Sequence, residues 1–393
     1  MRIVHVVGAR PNFMKIAPVM RALTRYEEVS QTLIHTGQHY DESLSNRFFE
    51  DLDLPQPDLN LGVGSASHGV QTGRIMMALE PILLRWRPDW VFTVGDVNST
   101  LAASLTAAKL GIRVAHVEAG LRSHDWSMPE EMNRVLTDRL SHALFTTEPS
   151  ASDNLAAEGI EPERIHFVGN VMIDTLDRYR ARAAKLRVPD TLGLAAGRYV
   201  LVTLHRPRNV DDPRRLGALL RALSQITYEC EGPVVLPLHP RTAKNIRAYE
   251  LDAELSPLLT LAPLRYLEFL CLMDHAGALV TDSGGVQEEA SVLGVPCVTL
   301  RPNTERPITL TEGTNRLFTG KPDRLADAVR DALLEERKPC RPELWDGRAS
   351  ERIARVTVEE LSAPAAAPEE GAEEPEERET PRETARRAAA AGS

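Results

Sequence analysis

Acidic side chains stand at three points in the first half of the chain where they could act as general acids, bases or charge stabilisers. Asp96 and Glu118 each come just after a short apolar run, and Glu130 and Glu131 open a later helical pattern. A carboxylate directly after a buried strand is costly unless it is paired or used in chemistry. Helix capping and attraction to the helix dipole are the plain alternatives for each residue. Convergence of the three points on one edge of the fold would favour proton-transfer chemistry.

The stretch Leu279–Glu289 predicts an anion-binding turn in the second half of the chain. An apolar run gives way to an Asp-Ser-Gly-Gly turn, after which a helical pattern begins. Such a corner presents free backbone N–H groups and the positive end of a helix dipole. Gly284 and Gly285 would let a phosphate approach the backbone, and Glu289 could hold ribose hydroxyls. The plain alternative is an ordinary helix cap at Ser283.

Cationic, histidine and amide side chains follow several other apolar runs and could hold a phosphate or a leaving group. Arg and Lys bind phosphate through charge-assisted hydrogen bonds, and a His at a cleft can neutralise or protonate a leaving phosphate. Surface charge and a structural imidazole are the plain alternatives. The residues are Arg10, Lys15, Gln38, His39, His205, His239 and Arg306.

Short β-branched runs alternate with longer amphipathic stretches, which predicts βα units and parallel sheets. The predicted strands are 2–7, 31–35, 89–94, 112–117, 143–147, 165–168, 199–204, 233–238, 258–261, 277–281 and 296–300. We expect two doubly wound α/β domains, 1–172 and 173–362, facing each other across a cleft, with the last helix returning to the first domain. Ligands of such sheets bind outside the carboxyl ends of the strands. The residues named above follow those ends.

Length and composition limit the class of protein. The chain has 393 residues, 42% hydrophobic and 26% charged, as in a soluble globular protein. Its net charge of −10 argues against a nucleic-acid partner. Four widely spaced cysteines predict reduced structural thiols. No apolar stretch is long enough for a signal peptide or a membrane span, so we expect a cytoplasmic protein without a membrane partner.

The end of the chain, residues 363–393, differs from the rest in composition. It is dominated by Ala, Pro, Glu and Arg, with eight glutamates against four arginines and no aromatic residue. Such a segment cannot bury a core, so we expect a disordered acidic tail.

Motifs for common cofactors do not occur in the sequence. No Gly-x-Gly-x-x-Gly follows the first predicted strand, and there is no His-Glu-x-x-His, EF-hand or zinc-ligand spacing. The sequence therefore favours chemistry without a nicotinamide cofactor or a metal, with weak metal binding by isolated acids as the alternative.

An ordered series of motifs resembles that of the non-hydrolysing UDP-N-acetylglucosamine 2-epimerases. The similarity covers residues 1–360 and leaves only the tail outside. It implies two Rossmann-like domains in the GT-B arrangement, in agreement with the strand pattern. The matching segments are Gly8-Ala9-Arg10-Pro11, His35-Thr36-Gly37-Gln38-His39, Gly95-Asp96, His116-Val117-Glu118-Ala119-Gly120-Leu121-Arg122, Pro129-Glu130-Glu131-Met132-Asn133-Arg134, Val168-Gly169-Asn170, Thr203-Leu204-His205-Arg206, Leu238-His239-Pro240, Asp282-Ser283-Gly284-Gly285-Val286-Gln287-Glu288-Glu289 and Thr304-Glu305-Arg306-Pro307.

The resemblance implies interconversion of UDP-GlcNAc and UDP-ManNAc without an external cofactor. The family eliminates UDP across C1 and C2 to a 2-acetamidoglucal, then adds it back with a proton delivered to the opposite face. By motif position, Asp96, Glu118 and Glu130 are the acid/base and charge-stabilising set, and His205 lies beside the diphosphate. Which carboxylate takes the C2 proton stays open. Nucleotide and phosphate contacts are implied for Arg10, Lys15, Phe269, Ser283, Gly284, Gly285, Glu289 and Arg306.

Two positions depart from the family pattern. Leu264 stands where some members place a Gln against the nucleotide. Some bacterial members bind a second UDP-GlcNAc as an activator near a Gln-His pair, here Gln38-His39, and a later Arg-Gln pair, which here reads Val70-Gln71. Activation by substrate is therefore left open. Family members are often dimers, which implies a homodimer.

Four alternative functions share parts of this pattern. They are a hydrolysing 2-epimerase that releases ManNAc and UDP, an epimerase of a modified UDP-sugar such as a diacetamido-uronate, a GT-B glycosyltransferase, and a catalytically silent sugar-nucleotide sensor. Solvent deuterium incorporation at C2 and the identity of the products would distinguish them.

Overall fold

Two parallel β-sheets, each flanked by helices, form the core of the computed structural model, which describes residues 1–38, 53, 56–230 and 232–359. Both sheets belong to one compact unit, Met1–Ala363. His39, the side chain of Arg10 and the predicted acidic tail lie outside the described part of the chain.

The first sheet has seven strands, and every neighbouring pair is parallel. They are β1 Arg2–Val7, β2 Ser30–His35, β3 Leu59–Asn60, β4 Trp90–Val94, β5 Arg113–Ala119, β6 Ala143–Thr146 and β7 Ile165–Phe167. Their order is β3-β2-β1-β4-β5-β6-β7. The chain moves outward from β1 on one side and then returns to place β4 on the other. This reversal between β1 and β4 is a topological switch point, where doubly wound sheets bind ligands.

The second sheet repeats this arrangement with six parallel strands. They are β8 Val200–Thr203, β9 Val234–Pro237, β10 Leu259–Leu261, β11 Ala278–Thr281, β12 Cys297–Thr299 and β13 Asn315–Leu317. Their order, β10-β9-β8-β11-β12-β13, places a second switch point between β8 and β11.

Helices cover both faces of the first sheet because side chains alternate along its strands. On β1, Ile3 and Val7 belong to the hydrophobic core under the helices at 10–23 and 349–359. Val4 and Val6 belong to the core under the helices at 68–86 and 98–109. The helices are α1 Arg10–Leu23, α2 His68–Trp86, α3 Asn98–Lys109, α4 Pro129–Leu140, α5 Pro149–Ala157, α6 Val171–Ala184, α7 Val188–Thr191, α8 Pro207–Val210, α9 Pro213–Glu229, α10 Pro240–Ala248, α11 Tyr266–His275, α12 Gly284–Leu293, α13 Ile308–Thr311, α14 Leu325–Leu333 and α15 Ala349–Glu359.

The structure confirms the predicted doubly wound α/β class and every predicted strand, with ends that shift by one or two residues. The edge strands β3 and β13 were not predicted, because their two or three residues have little apolar character and form no recognisable apolar run. The predicted domain boundary after residue 172 falls inside α6 and stays a prediction. The last helix, α15, packs against α1. No described helix is both long and apolar enough to cross a membrane.

Candidate active site

Asp96 and the predicted anion-binding turn lie at the switch points of the two sheets, and Glu118 lies on β5, the strand next to β4. Asp96 follows β4, next to β1, whereas His205 and Asp282 follow β8 and β11. Strands that are adjacent and parallel end at the same edge, so residues distant in sequence become neighbours there. The turn carrying Asp96 also meets α1, since a Cβ at Gly95 would lie 3.6 Å from Lys15 Nζ.

Glu118 lies inside β5 rather than after it, which corrects the strand end predicted at residue 117. The pairing of β5 with β6 shifts register between Val117 and Ala119, and Glu118 has a φ of 73°. This left-handed conformation costs a non-glycine residue about 1–2 kcal/mol, so surrounding contacts must hold it. The residue is 3% exposed, and Lys15 Nζ lies 2.7 and 2.6 Å from its two carboxylate oxygens. Lys15 therefore compensates the buried charge of Glu118.

Arg134 links Asp96 to the first turn of α4. Its Nη1 lies 2.5 Å from Asp96 Oδ2 and its Nη2 lies 2.6 Å from Glu131 Oε2. Glu131 is buried and also accepts the backbone N–H groups of Ser123 and His124, at 2.9 and 2.8 Å. Burial raises the pKa of Glu131, but these donors and Arg134 outweigh it and leave the pKa below its ordinary value. Glu131 is thus an ionised anchor for the loop before α4.

Glu130 has a different environment from its neighbour. It is half-buried, and its carboxylate pairs with no other residue in the described part of the chain. Since Glu131 already fixes the loop, the two adjacent glutamates divide into an anchor and a carboxylate without a partner among the described residues.

The turn at Ser283 has the local geometry predicted for an anion site. Ser283 is the N-cap of α12, but its hydroxyl makes no capping hydrogen bond to that helix. The first-turn N–H groups of α12 have no partner within the helix and lie at the positive end of its dipole. Gly284 is required by space, because a Cβ there would lie 2.5 Å from Arg306 Nη1 and 2.9 Å from Glu305 Oε1.

Glu289, six residues after Ser283 on α12, is the predicted ribose ligand. It is buried and accepts a hydrogen bond from Tyr266 Oη at 2.7 Å. Burial raises the pKa of Glu289 to about 8, against the opposing effect of the Tyr266 hydroxyl. Further hydroxyl donors, such as a ribose diol, would favour the ionised form.

Asp282 joins the two strand ends of the second switch point. Its buried carboxylate accepts the N–H groups of His205 and Arg206, at 3.1 and 3.0 Å, and lies 2.8 Å from His205 Nδ1. Burial raises the pKa of Asp282, but the hydrogen bond and charge of His205 outweigh it and lower the pKa. With Nδ1 directed to Asp282, His205 keeps Nε2 for a ligand, and its side chain is 37% exposed. The ring of His239 lies 5.4 Å away, centroid to centroid.

Arg306 connects the two switch points. Its guanidinium contacts Glu118 of the first half at 3.2 Å, and Glu288 and Glu305 of the second half, with 2.6 Å to Glu288. Burial raises the pKa of Glu305, but Arg306 and Arg301 outweigh it and hold the pKa well below its ordinary value. This single buried cation brings a predicted acid and the predicted anion-binding turn into one site.

Two other predicted site residues are held by contacts of their own. The Gln38 side chain accepts hydrogen bonds from Ser99 N and Ser99 Oγ, at 3.2 and 2.6 Å. Phe269 packs against the hydrophobic core as a partly buried side chain. In the described residues, no group of three or more His, Cys, Asp or Glu side chains could hold a metal ion.

Sequence reasoning missed four residues that hold predicted site residues in place. Arg134, Asp282, Glu288 and Glu305 all lie within the matched motifs, and that is their one signal in the sequence. Their roles depend on partners distant in the chain, as in the hydrogen bond from His205 N to Asp282, 77 residues away, which spacing does not reveal.

Two Rossmann-like sheets joined at their ligand-binding switch points define a GT-B-like protein. The model of the family described as UDP-N-acetylglucosamine 2-epimerase matches residues 21–357. The chain belongs to the UDP-N-acetylglucosamine 2-epimerase family.

Individual relatives match nearly their full length. A UDP-N-acetylglucosamine 2-epimerase of Methanococcus maripaludis is 42% identical over 361 residues, covering 90% of this chain and 98% of the relative. A UDP-2,3-diacetamido-2,3-dideoxy-D-glucuronate 2-epimerase of Pseudomonas aeruginosa is 42% identical over 357 residues, with the same coverage of 90% and 98%. The crystal structure of the Methanocaldococcus jannaschii UDP-GlcNAc 2-epimerase with UDP-GlcNAc and UDP superimposes with a TM-score of 0.85 and 42% identity, covering 91% of this chain and 99% of that one.

Proposed function

We propose that this protein is an isomerase that interconverts UDP-GlcNAc and UDP-ManNAc without a cofactor. The observation that carries the proposal is the contact of Arg306 with Glu118, 3.2 Å across the two halves, which joins an acid-lined switch point to an anion-binding turn. The names of the archaeal relatives give the sugar nucleotide. The reaction needs proton chemistry at C2 beside a firmly held leaving group, and this site offers both.

The second half would hold the UDP. We assign the diphosphate to Ser283, Gly284, Gly285 and the Nε2 of His205, and the ribose to Glu289. Backbone N–H groups at a helix start stabilise the charge that develops on the departing phosphate without any reorganisation. We assign further contacts with the nucleotide and its phosphates to Arg10, Lys15, Phe269 and Arg306.

The first half would carry out the proton transfers. In the elimination, a base removes the C2 proton, the C1–O bond breaks with its electron pair going to UDP, and the C1–C2 double bond of the glucal forms. In the return, a UDP oxygen adds to C1 and a proton is delivered to the opposite face of C2. Closure of the site must exclude water, which would otherwise capture the intermediate.

The pairing of the acids supports a division of roles among them. We assign Glu118, which pairs with Lys15 and Arg306, to stabilising positive charge at C1 as UDP departs. Asp96 is partly exposed and paired with Arg134. Glu130 is available to a ligand, and we assign it and Asp96 to the two faces of C2.

A second candidate substrate is a UDP-diacetamido-uronate. The Pseudomonas relative named for that substrate is 42% identical to this chain, the same as the Methanococcus relative named for UDP-GlcNAc. Both reactions invert C2 of an acetamido sugar, so the same acids and the same UDP site would serve either one.

The test is incubation with each UDP-sugar in deuterated water, followed by NMR. We expect UDP-GlcNAc to equilibrate with UDP-ManNAc and both to acquire deuterium at C2. Release of free ManNAc would indicate the hydrolysing branch, and turnover of the diacetamido-uronate alone would indicate the second candidate. Unchanged UDP-GlcNAc without deuterium at C2 would contradict an epimerase of this sugar.

We also propose that the protein is a homodimer formed through the outer faces of α2 and α4. Val70, Met77 and Leu84 are exposed at seven-residue spacing on α2, and Met132 and Leu136 are exposed on α4. Light scattering should give twice the mass of the 43.5 kDa chain, and Met77→Glu should lower it. Leu334→Glu, at an 81% exposed apolar residue elsewhere, is the matched control.

A further inference from the structure

Asp138 is a fully buried carboxylate on α4 to which the proposed reaction gives no role. Its oxygens hold the chain on both sides of Glu118. Oδ1 lies 2.6 Å from His116 Nδ1, two residues before Glu118, and Oδ2 accepts the N–H of Gly120 at 3.1 Å, two residues after it. Arg122 Nη1 donates to the same Oδ2 at 2.7 Å. The residues on both sides of Glu118 therefore bond to the same carboxylate, that of Asp138.

His116 extends this connection to the turn that carries Asp96. Its Nε2 lies 2.8 Å from the carbonyl oxygen of Gly95, the residue before Asp96. Because a carbonyl oxygen can only accept, Nε2 is the donor. A buried chain of hydrogen bonds thus runs from Gly95 through His116 and Asp138 to Gly120, and it connects the segments that bear Asp96 and Glu118.

The backbone of Glu118 needs such a restraint. A left-handed φ at a glutamate persists only where the surrounding structure over-determines it. Gly120 is also left-handed, with a φ of 79°, and a Cβ there would lie 2.2 Å from Ala151 O, so this flank is closely confined too. If the restraint is lost, we expect β5 to relax towards ordinary strand geometry and the carboxylate of Glu118 to leave Lys15 and Arg306.

We propose that Asp138 is a positioning residue that holds Glu118 in its left-handed conformation and, through His116, sets the turn that carries Asp96. The effect on catalysis rests on the proposed function. The conformation of Glu118 is a property of the chain alone and can be tested without any substrate.

The test compares Asp138→Ala with Asp138→Asn. Asn can donate its amide to Nδ1 of a neutral His116 and accept from Gly120 and Arg122 through its oxygen, so it keeps the connections while removing the charge. We expect Asp138→Ala to lower kcat about 10²-fold, the cost of a displaced catalytic group. KM for UDP-GlcNAc and the Kd for UDP should change less than about threefold, because the turn at Ser283 and the side chain of Glu289 are untouched, and Asp138→Asn should recover kcat to within about fivefold.

Asp174→Ala is the matched control. Asp174 is another buried aspartate that holds backbone, accepting the N–H groups of Ala349 and Ser350 at 3.0 and 2.7 Å, but it lies on α6. We expect it to lower the Tm as Asp138→Ala does and to leave kcat unchanged. If Asp138→Ala does not fold, His116→Phe, which removes the link to both Gly95 and Asp138, takes its place with the same expectations.

A crystal structure of the variant provides the readout that is independent of activity. We expect the φ of Glu118 to leave the left-handed region in Asp138→Ala and to stay there in Asp138→Asn. A left-handed Glu118 in Asp138→Ala, wild-type kcat in that variant, or a loss of kcat that Asp138→Asn does not recover would each overturn the proposal. A wild-type protein inactive on UDP-GlcNAc would instead refute the proposed substrate and leave the structural test in place.

Discussion

At the first switch point the carboxylates of Glu118 and Asp96 each rest against a buried cation, Lys15 or Arg134. At the second, the turn at Ser283 offers backbone N–H groups and a helix dipole, and the carboxylate of Asp282 faces inward to hold the adjoining strand end. Side-chain acids can exchange protons, whereas backbone dipoles can only stabilise an anion. The same fold element, a switch point of a doubly wound sheet, is thus equipped for chemistry in one half and for binding in the other.

The largest expected effect comes from the first switch point. We expect Glu118→Gln to lower kcat on the order of 10²-fold or more, because the stabilisation of positive charge at C1 is lost, while the Kd for UDP changes less than about threefold. Steady-state kinetics and calorimetry measure the two. Glu158→Gln, at a half-exposed partner of Arg122, is the matched control and should behave as wild type. Near wild-type kcat in Glu118→Gln would contradict the assignment of the chemistry to the first half.

Within the first half, substitutions of Glu130 and Glu131 are expected to have different effects, one on kcat and the other on stability. We expect Glu130→Gln to lower kcat about 10²-fold without a change in Tm, since its carboxylate is not part of the fold. Glu131→Gln should instead cost on the order of 3 kcal/mol in stability, because it weakens a buried pair with Arg134. Kinetics and thermal unfolding of both variants decide the matter. If Glu130→Gln had a lowered Tm and an unchanged kcat, Glu130 would instead be the anchor.

A smaller effect is expected at the second switch point. Gly284→Ala places a Cβ 2.5 Å from Arg306 Nη1, and that guanidinium is held by three carboxylates and cannot move aside easily. We expect about tenfold weaker UDP binding by calorimetry, roughly the 1.4 kcal/mol of one displaced contact. Gly73→Ala, where a Cβ meets nothing within 4 Å, should bind UDP as wild type does. Unchanged binding in Gly284→Ala would contradict the UDP assignment.

The smallest effect on activity is expected from Glu148, which is buried at the end of β6 and accepts a hydrogen bond from Ser150 Oγ at 2.6 Å. Burial raises its pKa from 4.5 to about 7. The unfolded chain releases this proton near pH 4.5 and the folded chain only near pH 7, so the wild type loses stability as pH rises through that window.

Glu148→Gln has no such proton, so we expect its free energy of unfolding, relative to wild type, to rise by on the order of 3 kcal/mol from pH 4.5 to 7.5 with kcat unchanged. Urea unfolding at several pH values measures it. Glu163→Gln, at an exposed position, is the control and should show no such trend. A difference between Glu148→Gln and wild type that does not vary with pH would contradict the assignment.

Most of the fold was predictable because it is encoded locally. A buried parallel strand reads as a continuous apolar run, so each strand longer than three residues appeared in the pattern. The short edge strands Leu59–Asn60 and Asn315–Leu317 did not, since pairing rather than hydrophobicity defines them. The bulge at Glu118 was equally invisible, because a register shift belongs to the pairing of two strands.

The sequence alone indicated the family, the two series of βα units and the residue types that could transfer a proton or hold a phosphate. Each of these is a property of neighbours in the chain, whether a motif or a period. Three further features required the folded structure: Glu131 is an anchor whereas Glu130 has no partner among the described residues, Glu118 is held in a left-handed conformation, and Arg306 joins the two halves. These outcomes depend on burial and on long-range partners, because the free energy of a charged group is set by what surrounds it in space.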